Sequence, residues 1–216
     1  MSEITVFTAR KIVTMNAPMP EATAVAVRDG RIVEVGSLET LKPWLDGHPH
    51  RIDRQFENHV LMPGFIDAHT HFDLDVCNTT TADDFTTGSR AALKGGTTTV
   101  IDFACPNKGE SLQYGLDLWH KKADGRTFCD YGFHMTIDDW NDGIRAELPQ
   151  MFDEGISSFK MYMTYPAMMI GDEAMFHALR EMKRLGGIVG VHCENAGMID
   201  ALIAEKKAAG ALSPSS

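Results

Sequence analysis

The sequence predicts an α/β protein whose larger part is an incomplete TIM-type (β/α) barrel, about five of eight units, preceded by a small β-sheet portion. Three observations carry this. From residue 60 onward, short apolar runs alternate five times with longer helical stretches, and consecutive β/α units with apolar strands specify a parallel sheet covered by helices. Glycines follow the helical stretches, as at Gly95-Gly96, where a left-handed C-cap is needed. The polar residues that interrupt the strands fall at or near their C-terminal ends, the face on which barrel active sites are built. A doubly wound open sheet is the other possible closure, but neither G-x-G-x-x-G nor G-x-x-x-x-G-K-[ST] occurs to mark a nucleotide site.

In chain order, "ITVF" and "KIVTM" are two short β-rich runs. "ATAVAVRDGRIVEVG" is a pair of alternating arms around Asp29-Gly30, a hairpin signal because both central positions of a type I′ turn need positive φ. "LETLKPWL" reads as a short helix before "HRID" and "HVLM", and the whole reads as a small antiparallel unit, residues 1–59. The barrel part, residues 60–216, opens with "HVLMPGFIDAHTHF" as one strand. "TTTVIDFAC", "CDYGFHMTI", "SSFKMYMT" and "IVGVHCEN" are the next four, each followed by a helical stretch. The segment "DLDVCNTTT" reads as a loop near the substrate.

Composition excludes several classes. The 216 residues are 44% hydrophobic and 23% charged, ordinary for a globular protein with a core. A formal net charge of −10 argues against binding nucleic acid through a basic face. Cys77, Cys105, Cys129 and Cys193 are scattered without a C-x-x-C pair, which points to reduced thiols rather than a disulfide framework. The charged N-terminus does not read as a secretory signal, and no apolar run spans a bilayer. The expectation is a cytoplasmic protein with neither nucleic-acid nor membrane partners.

Nine histidines make one chance His-x-His pair unsurprising, so context must separate the two that occur. His48 and His50 flank Pro49 beside Gly47, where nothing aligns their side chains; they read as solvated. His69 and His71 end an apolar run, and in a strand i and i+2 face the same way. They would project together into the barrel with Asp67, leaving Ile66 and Ala68 toward the helices, and would form half of a zinc-type site. In "SSFKMYMT", Phe159, Met161 and Met163 suit the helix side, whereas Lys160 shares the inner parity with Tyr162 and Thr164. An interior ammonium is costly unless neutralised. Either Lys160 pairs with an acid such as Asp67 or Asp102, or its amine captures CO2 as a carbamate able to bridge two cations. His192 in "GVHCEN" is either a ligand or a hydrogen-bonded core residue. His134 reads as a core histidine, and His120 and His177 as lying on exposed helical faces.

Taken in order, "MPGFIDAHTHFDLD", "ADDFTTGSRAALKGGTTTVIDF", "GISSFKMYMTYPAMM" and "GGIVGVHCEN" resemble the cyclic amidohydrolases of the dihydropyrimidinase and D-hydantoinase family, over essentially the whole chain. The resemblance implies a TIM barrel attached to a small β-sandwich, with two divalent metal ions, zinc, in the barrel. It implies His69 and His71 as ligands of the more buried metal, and His192 as a ligand of the second. Lys160 would be the N6-carboxylated lysine bridging both, and Tyr165 the hydroxyl that hydrogen-bonds the substrate carbonyl. Dihydroorotases resemble H-x-H-x-R, whereas Asp73 stands at the arginine position here, so a neutral cyclic ureide or imide fits better than a carboxylated ring. An allantoinase-like activity remains an alternative.

The reaction so implied is hydrolysis of a ring amide to an N-carbamoyl amino acid, in a full-length homotetramer or dimer. The family's proton-shuttling aspartate comes from the eighth strand, and another metal-binding histidine from the sixth. Five strands carry neither, so the chain reads as an N-terminal half, truncated and poorly active. The alternative from another class is a non-catalytic binding or assembly module.

Overall fold

The computed structural model describes residues 2–76, 78–211 and 213. Cys77 lies outside these residues; Cys105, Cys129 and Cys193 are free thiols. The chain divides into two compact units, Met1–Gly64 and Phe65–Ser216.

In the first unit, β1 (Ile4–Val13) is one strand rather than two short runs, and a register shift between Thr8 and Ile12 accounts for the break in its pattern. β2 (Glu21–Arg28) and β3 (Arg31–Gly36) form the expected hairpin, with Asp29 at φ 52° and Gly30 at φ 73°. Ser37 caps α1 (Leu38–Leu45) through a box with Thr40. Because α1 carries the chain back, β4 (His50–Asp53) and β5 (Val60–Leu61) pair parallel to β1. The sheet is therefore mixed, not antiparallel as the sequence suggested. Its core is Ile4, Val6, Ala24, Ala26, Leu41 and Leu45. His48 and His50 are not solvated either. Both are half-buried, with Nδ1 against the carbonyls of Trp44 (2.8 Å) and His48 (2.9 Å).

The second unit begins where the sequence suggested mid-strand. Pro63 cannot donate to a ladder, and the run breaks around Pro63-Gly64 into β5 and β6 (Phe65–Thr70). A two-stranded hairpin follows, β7 (Asp75–Val76) with β8 (Thr79–Thr80), in the segment expected as loop. Then come α2 (Phe85–Lys94), β9 (Thr97–Ala104), α3 (Leu112–Ala123), β10 (Asp130–Thr136), α4 (Asp142–Asp153), β11 (Ser158–Tyr162), α5 (Asp172–Leu185), β12 (Ile188–His192) and α6 (Ala196–Ala208). The five main strands pair in parallel, in the order β12-β11-β10-β9-β6. This curled sheet is the five-strand part of a TIM-type barrel. Side chains stop and start the helices. Asp84, Ser111, Asn141 and Asn195 cap α2, α3, α4 and α6, and Gly186 ends α5 at φ 82°.

The core lies between sheet and helices. Met135, Phe159 and Met161 pack from the strands against Leu112, Leu116, Leu148, Met151 and Met182. At the sheet's two edges this cover gives out. Ile66 (65% exposed) and Ala68 are not covered by helices as the alternation suggested; both lie on β6, an edge strand with β9 alone beside it. Ile188 opens the other edge at 74%, and α6 buries none of its residues. His177 is exposed, but His120 is only half so, with Nδ1 3.2 Å from the Tyr131 hydroxyl and its ring on Phe133.

Candidate metal centre

Phe103, on β9, is the floor of the site. Its ring lies 4.6 Å from that of His69, 4.9 Å from His71 and 4.8 Å from His134, and the Lys160 ammonium is 5.6 Å from its centroid. The His69 and His71 rings are 5.0 Å apart and edge-on. They do not reach this position by simple alternation. Between the pairs Asp67↔Val100 and Thr70↔Asp102, β6 uses one residue more than β9, a bulge that re-aims the strand end. Asp67 therefore leaves the expected inner set. It stands level with the buried Val100, and its carboxylate accepts from the His69 amide at 3.2 Å.

Asp102 holds the end of the bulged strand in place. Fully buried, its carboxylate accepts from the Thr70 hydroxyl (2.9 Å), the amides of Phe72 and Phe103 (2.8 Å each) and the Trp119 indole (3.2 Å). It thus grips the chain on both sides of His71. Burial pushes its pKa up, against the pull of these four donors. The sequence leaves Asp102 open as one of the acids that could pair with Lys160. Asp102 lies instead on the helix side, and an acid inside the apolar "VIDF" was the signal that it has work there. Among the described residues Lys160 makes no ion pair with any acid. It lies over Phe103 and 5.4 Å from the Tyr162 ring, opposite Gly190 in register.

Tyr162 and His192 are register partners on β11 and β12, with stacked rings 6.1 Å apart. Tyr165, at φ 67° and 46% exposed, closes on His192 from the following loop at 5.0 Å. The structure thus gathers His69, His71 and Lys160 around Phe103, and His192 with Tyr165 two strands along from Phe103's neighbour β10. His134 is held away from ligation by partners on both nitrogens, the Ser158 hydroxyl (2.6 Å) and the Ala68 carbonyl (2.9 Å).

The fit of these residues to a cation can be tested on the side chains themselves. His71 Nδ1 and His192 Nε2 are buried and make no hydrogen bond, an arrangement that native structures avoid unless something else meets the atom. Glu194 approaches His192 Nε2 to 3.2 Å, an ion-pair contact without the geometry of a hydrogen bond. His69 and His71 have pKa values lowered first by burial, then in His69 by the Lys160 charge; both are neutral near pH 7, the state that ligates. Among the described residues no three His, Cys, Asp or Glu side chains converge to hold a cation alone. Lys160, over the same Phe103 ring as both imidazoles, would have to complete the set, and two buried imidazole nitrogens without a hydrogen bond are donors of the kind that suit a cation.

Imidazoles and a lysine without an acid partner among the described residues thus stand at or near the C-terminal ends of a parallel barrel's strands, the face on which barrel active sites are built. The chain belongs to the amidohydrolase family, whose sequence model matches residues 60–213; a short second match, residues 24–43, is to an imidazolonepropionase-like composite domain of bacteria. It is 38% identical over 193 residues to a D-hydantoinase of Streptomyces coelicolor, covering 88% of this chain and 40% of that one. A dihydropyrimidinase of Rattus norvegicus is 36% identical, covering 86% and 36%. A D-hydantoinase crystal structure superposes with a TM-score of 0.80 at 34% identity, covering 98% of this chain and 44% of the other. The chain thus spans less than half the length of these relatives.

Proposed function

We propose that this chain carries the metal-binding part of a cyclic amidohydrolase that opens a dihydropyrimidine or hydantoin ring to an N-carbamoyl amino acid. The observation that supports it most is the pair of buried imidazole nitrogens without a hydrogen bond, His71 Nδ1 and His192 Nε2, on either side of a lysine with no acid partner among the described residues. His69, His71, His192 and Lys160 as its N6-carbamate would hold two divalent cations, zinc by resemblance. When bound, such ions supply Lewis-acid polarisation and a nucleophilic water at neutral pH.

The chain's own residues do the rest. Phe103 shields the imidazoles from solvent on one side, and Asp102 fixes the backbone around His71. Tyr165 donates its hydroxyl to the ring carbonyl oxygen, where negative charge grows as the carbon becomes tetrahedral. Water adds across the ring C–N bond: oxygen goes to the carbonyl carbon, a proton to the ring nitrogen, and the bond between them breaks. The resemblance assigns that proton's delivery to an aspartate from a later strand, outside these five.

Metal analysis tests the reading. The protein purified with zinc should hold it, and His71→Asn and Lys160→Met should each lower the bound metal per chain at unchanged helicity. Equal metal in wild type and both variants would sink the proposal. A second reading, a non-catalytic module that assembles through its sheet edges, is favoured by the exposed Ile66 and Ile188. A folded, monodisperse oligomer that binds no metal would support it instead.

A further inference from the structure

We propose that Lys108 is a positioning residue for Tyr165, clamping the loop that presents its hydroxyl; this rests on reading Tyr165 as the group that meets the substrate carbonyl. Lys108 follows β9, fifty-eight residues from its target. Its ammonium donates to the carbonyls of Pro166 (3.0 Å) and Met169 (2.9 Å) in the loop after β11. Between these two contacts, the amides of Met168 and Met169 both turn back to the Tyr165 carbonyl, at 2.8 and 2.9 Å. One cation thus closes a turn whose first residue is Tyr165.

The turn needs closing. Tyr165 sits at φ 67°, a left-handed conformation that a bulky residue keeps only when its surroundings impose it. That backbone conformation sets the direction of the ring toward His192. Two charge-assisted bonds from one donor are well suited to impose it.

Lys108 is itself held. The Asn107 amide and side chain donate to Glu110 (2.7 and 3.1 Å), and Gly109 takes φ 87° to make the turn. Pro106 seats on Gly115 of α3, where a Cβ would come within 2.8 Å of the proline ring. Behind the clamp, the buried Asp138 at the end of β10 attracts the same ammonium. No other part of the proposed chemistry uses Lys108, and the span from the β9 end to the β11 loop leaves the lysine one evident function.

Hydrogen exchange with kinetics tests this. In Lys108→Met the Met168 and Met169 amides should exchange about tenfold faster, with the amides of β9 to β12 unchanged. Lys108→Arg, which keeps charged donors, should restore most of the protection. In the metal-loaded protein acting on a hydantoin, kcat should fall about tenfold in Lys108→Met with KM nearly constant, and recover in Lys108→Arg. Unchanged exchange at Met168 and Met169, loosening spread evenly over the whole unit, or a loosened loop with wild-type kcat would each overturn the proposal. If the chain opens no cyclic ureide, as expected of a half without the later aspartate, the exchange arm alone decides whether Lys108 is the clamp, and the proposed function stands or falls on the metal analysis.

Discussion

A buried carboxyl titrates late when burial outweighs its partners, and Asp138, despite the Thr136 hydroxyl and the Lys108 charge nearby, is such a group. It is 5% exposed, its Oδ1 meets no donor, and burial pushes its pKa from 3.8 up to about 7. The folded state therefore keeps a proton that the unfolded chain gives up. Stability from this group is full below pH 3.8 and is lost as pH rises through about 7, by up to about 4 kcal/mol at 1.36 kcal/mol per unit. Urea denaturation at pH 5 and pH 8 should show a smaller fall for Asp138→Asn than for wild type. Asp102 predicts the opposite kind of effect. Asp102→Ala strands a hydroxyl, an indole and two amides in the core, and should cost about 3–5 kcal/mol in the same assay. At this scale strand parity put Lys160 on the face that carries Phe103, whereas His69 and His71 reach Phe103 only through the bulge. The sequence misassigned Asp67 and left Asp102 open, because a bulge and the choice of face depend on the neighbouring strand, which no local pattern encodes. Lys108 was not legible at all, since its partners lie in another loop.

Single elements differ in how firmly the fold holds them. β11 is covered on its helix side, and Met161, fully buried there, should lose about 2–5 kcal/mol on change to alanine. Leu202 on α6 is 56% exposed among residues that bury nothing, so Leu202→Ala should stay within about 0.5 kcal/mol. Thermal unfolding of the two variants side by side checks both. The caps Asp84 and Asn141 that start α2 and α4 went unread, but the helices were readable from the glycines that follow them, such as Gly186. The break between β5 and β6 was not, since "HVLMPGFIDAHTHF" is apolar across it and only the pairing of Val60 and Leu61 with β1 shows which sheet takes which part. The β7–β8 hairpin was hidden for a related reason: two-residue strands carry no period to read.

Across the whole molecule, the parallel order of the barrel part followed from five repeated units, whereas the mixed sheet of the first unit depended on α1 returning the chain alongside β1. The exposed edge residues set the expected solution behaviour. Ile188→Lys places a charge on an open strand edge, and size-exclusion chromatography should show less self-association than for wild type; equal elution profiles would mean that this edge is not where chains meet. The bulge in β6 has a different kind of consequence. Strand pairing there tolerates many side chains but not a change in their number. Removing Ala68 from between Asp67 and Thr70 would leave the extra residue that β9 uses between Thr97 and Thr99 unbalanced, while the strands could still pair. The two imidazoles, however, would be turned out of phase with Phe103. In this segment a working copy has to inherit the count of residues as well as the two histidines.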